Sequence, residues 1–186
     1  KPKMGNGDWL RGKTEHCKRE GNELAIDGCG LTDFRAVFGA PTQKQAKKIF
    51  WNDLKRMIPL WMMAYRPRES ADDLHIKLIN GARIEVHGLD KPERIEGSPL
   101  DWIGIDEFGN CKPDVWDQHV RPALFTLGRP PGRAWLLGVP EGRNHYFDLV
   151  QLALADVAAH GAQAEYDVFT WFSEDILPPE EIEKAK

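Results

Sequence analysis

Between Phe34 and Gly138, short apolar runs alternate with helical periodicity, and few architectures accommodate that alternation. "FRAVFGAPT", from Phe34 to Thr42, has the short, aromatic and β-branched character of a buried strand and is stopped by Pro41. "QKQAKKIFWNDLKRMIP" then places Ala46, Ile49, Phe50, Leu54, Met57 and Ile58 at spacings of three and four. Lys and Arg occupy the opposite face, so a helix is expected until Pro59 ends it. "LHIKLINGARIEVHG" alternates apolar and polar residues on both sides of Asn80-Gly81, the signal for a hairpin closed by a type I′ turn. Further strands are expected at "WIGID", "AWLLG" and "YDVFTWF". Helices are expected over 115–125 and 144–159, and another from near Pro179. The expected fold is α/β: a mostly parallel sheet with crossover helices and an inserted β-hairpin, in one domain spanning 1–186.

Composition narrows the class. With 186 residues, 41% hydrophobic and 29% charged, the chain reads as an ordinary globular protein able to build one sizeable core. A net charge of −4 argues against a chain that is basic throughout, although local basic patches can still meet DNA phosphate. Three cysteines without C-x-x-C spacing argue against a disulfide framework or a zinc site and point to a reducing, cytoplasmic setting. The longest apolar run, "PLWMMAY", is too short to span a bilayer, so no membrane is expected.

Two stretches carry chemistry. "DWIGIDEFGN", Asp101 to Asn110, runs an apolar strand straight into two carboxylates, Asp106 and Glu107. Acids often sit where a strand meets water. Strand ends are also where α/β proteins collect ligands, and a metal-bound phosphate would want acids there. Near the start of the sequence, "GDWLRGKT", Gly7 to Thr14, has the spacing G-x-x-x-x-G-K-[ST] of a phosphate-binding loop. In such a loop the backbone N–H groups wrap a triphosphate, Lys13 neutralises the outer phosphates and the Thr14 hydroxyl can bind Mg²⁺. The preceding "KPKMGN" cannot be a core strand, and Trp9 and Leu10 are bulky for a backbone that must approach phosphate closely. A solvated basic turn before a helix is the other reading. A phosphate loop also needs, on a neighbouring strand, an acid that orients Mg²⁺ and a carboxylate that positions the attacking water, and Asp106 and Glu107 stand in that order.

"FGAPTQKQAKKIFWNDLKRMIP", "LINGARIEVHGLDKPERIEGSPLDWIGIDEFGNCKPDVWDQHVRPAL" and "LLGVPEGRNHYFDLVQLA" resemble, in order and spacing, the ATPase domain of the large terminase subunit of tailed bacteriophages. The segment from Pro41 to Phe147 is the most specific part. The resemblance implies a three-layer P-loop NTPase of the additional-strand type that couples ATP hydrolysis to pumping double-stranded DNA into a capsid. It implies ATP and Mg²⁺ as cofactors. The implied partners are the portal protein, the small terminase subunit and other copies in a homo-oligomeric ring on the capsid, in the cytoplasm of the infected bacterial host. Gly7, Gly12, Lys13 and Thr14 carry over as nucleotide-binding residues, Thr14 and Asp106 as metal residues, and Glu107 as the catalytic carboxylate. An upstream first strand and a nuclease domain are expected outside this sequence. "GVPEG", Gly138 to Gly142, falls where the family's coupling motif follows the next strand, with Val139 where members commonly have Thr or Ser. Glu96-Gly97 stands where an Arg-Gly pair is common, which leaves Arg11, Arg94 and Arg143 as candidate arginine fingers.

The remaining features have plainer readings. Lys44, Lys47, Lys48, Lys55 and Arg56 read as the wet side of an amphipathic helix before they read as a DNA-binding face. Trp51, Trp61, Trp102, Trp116 and Trp135 sit inside apolar patterns and are expected in the core. Two other functions fit the same residues: a helicase-like DNA-translocating ATPase, and a nucleotide-binding assembly module that no longer hydrolyses.

Overall fold

The computed structural model describes residues 34–171 apart from 71–72, 127–129 and 140, together with 178 and 180. These residues fall in two compact units, divided after Val139.

The first unit holds a six-stranded mixed sheet. Its strands are β1 (Arg35–Ala40), β2 (Arg68–Glu69), β3 (Leu74–Lys77), β4 (Arg83–Gly88), β5 (Trp102–Ile105) and β6 (Arg133–Leu136), in the spatial order β2-β3-β4-β1-β5-β6. β4, β1, β5 and β6 run parallel. β3 returns antiparallel to β4, and β2 antiparallel to β3. This is the mostly parallel α/β sheet with a hairpin that the sequence pattern implies. Parallel strands need crossovers. The first crossover carries the helix α1, made of the consecutive segments Gln43–Ala46, Lys47–Trp51 and Asn52–Met57, the middle one wound as a π-turn. The crossover from β5 to β6 carries α2, Val115–Val120 followed by Arg121–Leu124.

One face of the sheet packs against α1. Ala40, Ala46, Trp51, Leu54, Met63, Leu74, Ile76 and Val86 form a buried cluster, with Phe38, Ile49, Phe50 and Ile84 against it. The spacing read from the sequence therefore sets the buried stripe of α1 as far as Leu54, but Met57, expected on the same stripe, is 77% exposed at the helix end. Its polar side is occupied at two points: Lys47 and Lys55 bond the Glu69 carboxylate at 3.1 and 2.9 Å. These contacts favour the wet-face reading of the basic residues. The tryptophans divide. Trp51 and Trp116 are buried, but Trp61 is 66% exposed and Trp135 is 51% exposed, contrary to the expectation of core positions. Trp135 lies on β6, whose described neighbour is β5 alone, and Trp61 lies in a short turn past the end of α1, so among the described residues no layer covers either.

The hairpin forms, but not with the expected two-residue turn. Gly81 N–H donates to the Leu78 carbonyl and Leu78 N–H to the Ala82 carbonyl, which leaves a three-residue loop, 79–81. A type I′ turn needs positive φ at both Asn80 and Gly81. Here Gly81 has φ 94°, whereas Glu107 is the only non-glycine with positive φ among the described residues. The Asn80 side chain instead accepts from Ala82 N–H at 3.0 Å.

At the other end of β4, Gly88 N–H donates to the Gln43 side chain, and Gln43 Nε2 donates to the Val86 carbonyl at 3.1 Å. A Cβ at Gly88 would lie 2.0 Å from Gln43 N and 2.6 Å from Gln43 Cα, and backbone atoms cannot swing aside. Gly88→Ala is therefore expected to push α1 off the sheet and destabilise the chain by about 1–3 kcal/mol. Thermal melts of the two proteins check this. Identical midpoints would mean that α1 can retreat at no cost.

The opposite face of β4 presents Arg83, Glu85 and His87, an alternation that in isolation reads as a solvent face. Glu85 is only 4% exposed, however, because the segment around the short turn Pro92–Ile95 covers it. Arg35, 8% exposed, bonds Glu85 Oε2 at 3.0 Å and donates to the carbonyls of Ile95 and Ser98 at 2.8 and 3.1 Å. His87 and Arg83 also reach the carboxylate, at 2.7 and 2.9 Å. Burial by itself would raise the Glu85 pKa. The hydrogen bonds from His87 and Arg35 outweigh it and hold the carboxyl at about 2.

The second unit is built on the helix α3, His145–His160, capped by Asn144, whose side chain accepts from Phe147 N–H at 3.0 Å. It matches the expected 144–159 helix. The strand expected at "YDVFTWF" does not form over the described residues 166–171. The N–H of Tyr166 is taken by the Asp156 carboxylate, and Phe169 and Trp171 stack at 6.4 Å. No helix among the described residues is long and apolar enough to cross a membrane.

Candidate active site

Because β1, β5 and β6 are parallel, the segments that leave them emerge at one end of the sheet. Asp106 and Glu107 follow β5 directly, and Asp106 N–H extends the ladder to the Gly39 carbonyl at 2.9 Å. Leu137, just past β6, takes the next places: its N–H donates to the Ile105 carbonyl at 2.8 Å and its own carbonyl accepts from Phe108 N–H at 2.9 Å. The capped start of α1 follows β1 at the same end, with Thr42 Oγ1 accepting from Gln45 N–H. In an open α/β sheet this end is where ligands bind, and the N-terminus of a helix presents N–H groups to negative charge.

The acids are held firmly. The Asp106 side chain accepts from Glu107 N–H at 2.9 Å. Glu107 has φ 53° and ψ 40°, a left-handed conformation that turns the chain sharply into the short turn Phe108–Asn110. Its carboxylate accepts a hydrogen bond from Gln45 Nε2 at 3.0 Å. Both acids are half-buried, neither lost in the core nor loose in water. Below them Phe108 is buried and anchors the turn. Cys111 is buried too, and that burial, with the nearby Glu107 charge, pushes its thiol up to about 12. A thiol so reluctant to ionise is a packing group and not a nucleophile.

The other expected site residues are distributed unevenly. Gly7, Arg11, Gly12, Lys13 and Thr14 lie outside the described residues. Val139, 77% exposed, lies past the end of β6 with an apolar side chain and no hydroxyl. Arg94 lines a cavity of about 370 Å³ with Arg35, Arg83, Glu85 and His87. Arg143, in the second unit, stacks over the Phe147 ring at 6.0 Å. Sequence reading also missed Gln45. Its signal was the T-x-x-Q spacing of a helix capping box, Thr42 to Gln45.

Mg²⁺ characteristically takes one or two carboxylates and completes its shell with phosphate oxygens and water. Among the described residues no group of three or more His, Cys, Asp or Glu side chains could hold a metal by itself, whereas Asp106 at an open strand end fits that sparse requirement. His75, His87 and His119 each bond a carboxylate, of Asp73, Glu85 and Glu96 respectively.

No protein-family model and no curated protein matches the sequence. Solved structures do. The large terminase from a thermophilic bacteriophage matches with a TM-score of 0.60 at 14% identity, over 83% of this chain and 37% of that one. The complex of the same terminase with ADP matches at 0.55 and 18% identity, again over 83% and 37%. The ATPase domain of the Thermus phage P74-26 large terminase gives 0.49 at 19% identity, over 63% of this chain and 52% of that domain. The chain thus spans between about a third and a half of the length of these proteins. Such low identities speak to the fold alone, and over the matched part this α/β chain shares the fold of the large terminase of that thermophilic bacteriophage.

Proposed function

We propose that the chain is a Mg²⁺-dependent ATPase of the large-terminase type, which drives double-stranded viral DNA into a procapsid. The observation that carries this reading is the Asp106-Glu107 pair, held where the chain leaves β5 and hydrogen-bonded to the first turn of α1. Support comes from the shared fold and from the ADP complex of the thermophilic-phage terminase. In this reading Lys13 and the amides of the Gly7–Thr14 loop bind the phosphates. Thr14 and Asp106 would hold Mg²⁺, which when bound supplies positive charge against the phosphate oxygens. Glu107 aligns the attacking water. Arg11 is the candidate arginine for the transferred phosphate. DNA, the portal, the small terminase subunit and a ring of identical chains on the capsid, in the host cytoplasm, complete the proposal.

The exposed, hydroxyl-free Val139 favours a second reading, a nucleotide-binding assembly module without turnover. Steady-state ATP hydrolysis by the parent and by Lys13→Ala separates the two. We expect measurable turnover in the parent and loss of both ATP binding and turnover in Lys13→Ala. Tight ATP binding by a parent that releases no phosphate would select the module instead.

A further inference from the structure

The contact between α1 and the candidate catalytic carboxylate is specific in its orientation. Gln45 lies in the first turn of α1, and Glu107 follows β5, the strand paired with β1. The amide of Gln45 is fixed at both ends: Nε2 donates to Glu107 Oε2 at 3.0 Å, and Oε1 accepts from the Thr42 hydroxyl at 2.7 Å. A carboxylate can only accept, so the nitrogen must face Glu107, and the hydroxyl then holds the amide oxygen on the other side. Thr42 Oγ1 in turn accepts from Gln45 N–H at 3.3 Å, which locks the cap and the side chain into one unit. In an ordinary capping box the glutamine would return to the backbone N–H of the cap residue. Here it is directed to a carboxylate 62 residues away. The recipient is also the one non-glycine residue with positive φ among the described residues, a conformation that persists only where its surroundings hold it.

We infer that Gln45 is a positioning residue for Glu107: it holds Oε2, so that Oε1 is the oxygen left free to align water. The inference rests on the ATPase reading and deepens it. A neutral amide suits the task because it fixes direction without cancelling the negative charge that attracts the water proton.

The test uses the full chain with Gln45→Ala and Gln45→Glu. Loss of orientation is expected to lower kcat about tenfold in Gln45→Ala, and at least as far in Gln45→Glu, where two carboxylates repel. KM, ATP affinity and Tm are expected to stay near the parent values, a split that a merely structural role would not produce. A second readout does not depend on turnover. The Gln45 side-chain amide resonances, followed by ¹⁵N NMR, are expected to shift on Glu107→Ala. Unchanged kcat in both variants would overturn the inference, and so would a rise in basal turnover, the mark of a latch that keeps Glu107 away from water. An unmoved amide resonance would also sink the Gln45 assignment, even with normal turnover. A parent without turnover would sink the ATPase reading itself.

Discussion

Glu107→Gln is expected to lower ATP turnover by about 10²–10³-fold, the usual contribution of a positioned proton acceptor, while ATP stays bound. The substitution keeps the size and shape of the side chain, and its carbonyl oxygen can still accept from Gln45 Nε2. The short turn Phe108–Asn110 that Glu107 initiates therefore survives, and with it the buried anchor Phe108. What disappears is the negative charge that orients a water and accepts its proton. Binding is expected to persist because the proposed phosphate contacts belong to Lys13 and its loop, which Glu107→Gln does not alter. Single-turnover hydrolysis beside equilibrium ATP binding measures the two quantities separately. Turnover within a few-fold of the parent would remove Glu107 from the chemistry. Loss of binding as well would mean that the substitution damaged the fold and not the water.

The second large effect is on stability. Glu85→Ala leaves the Arg35 guanidinium, 8% exposed, without its ion partner, and is expected to destabilise the chain by about 3–5 kcal/mol. The carbonyls of Ile95 and Ser98 still accept from Arg35, so the lower part of that range is the better expectation. Replacing both partners together, with Arg35→Met and Glu85→Leu, should recover much of the loss, because no buried charge is then stranded. The same pair predicts a pH dependence. Glu85 titrates at about 2 when folded against 4.5 ordinarily, so its contribution is fully present above about pH 5 and is lost as the pH falls toward 2. That contribution is on the order of 3 kcal/mol. Urea melts of the parent at several pH values between 7 and 2 should show the loss, and Glu85→Gln should lack that part of it. A parent as stable at pH 3 as at pH 7 would contradict the ion-pair account.

Much of this architecture was legible because its signals are local. The 3.6-residue period of Ala46, Ile49, Phe50 and Leu54 gave the buried stripe of α1, and the apolar run 102–105 gave β5. The acids were legible for the same reason, since an apolar strand that stops on Asp106-Glu107 carries its own boundary. The turn at Asn80-Gly81 was read correctly as a hairpin but in the wrong type, because the dipeptide signal does not say whether two residues or three will close the loop. The tryptophan expectation failed at Trp61 and Trp135 because an apolar pattern reports what a face prefers and not whether another layer covers it. Arg94 was a reasonable candidate by its nearness to the acids in sequence. In the fold it lines a cavity with Arg35, Arg83, Glu85 and His87, on the face of β4 away from α1.

Apart from the short edge strand β2 and the irregular segment 166–171, the amino-acid order alone determined the identity of the strands and helices, the α/β class and the position of two adjacent acids at a strand end. Each depends on side chains a few residues apart, where periodicity and capping act. Tertiary structure decided which distant groups meet: Gln45 with Glu107, and Arg35 with Glu85 beneath the turn at Pro92–Ile95. Those meetings follow from strand order and parallel register, which are set by how whole faces bury against one another and by no local stretch of the chain.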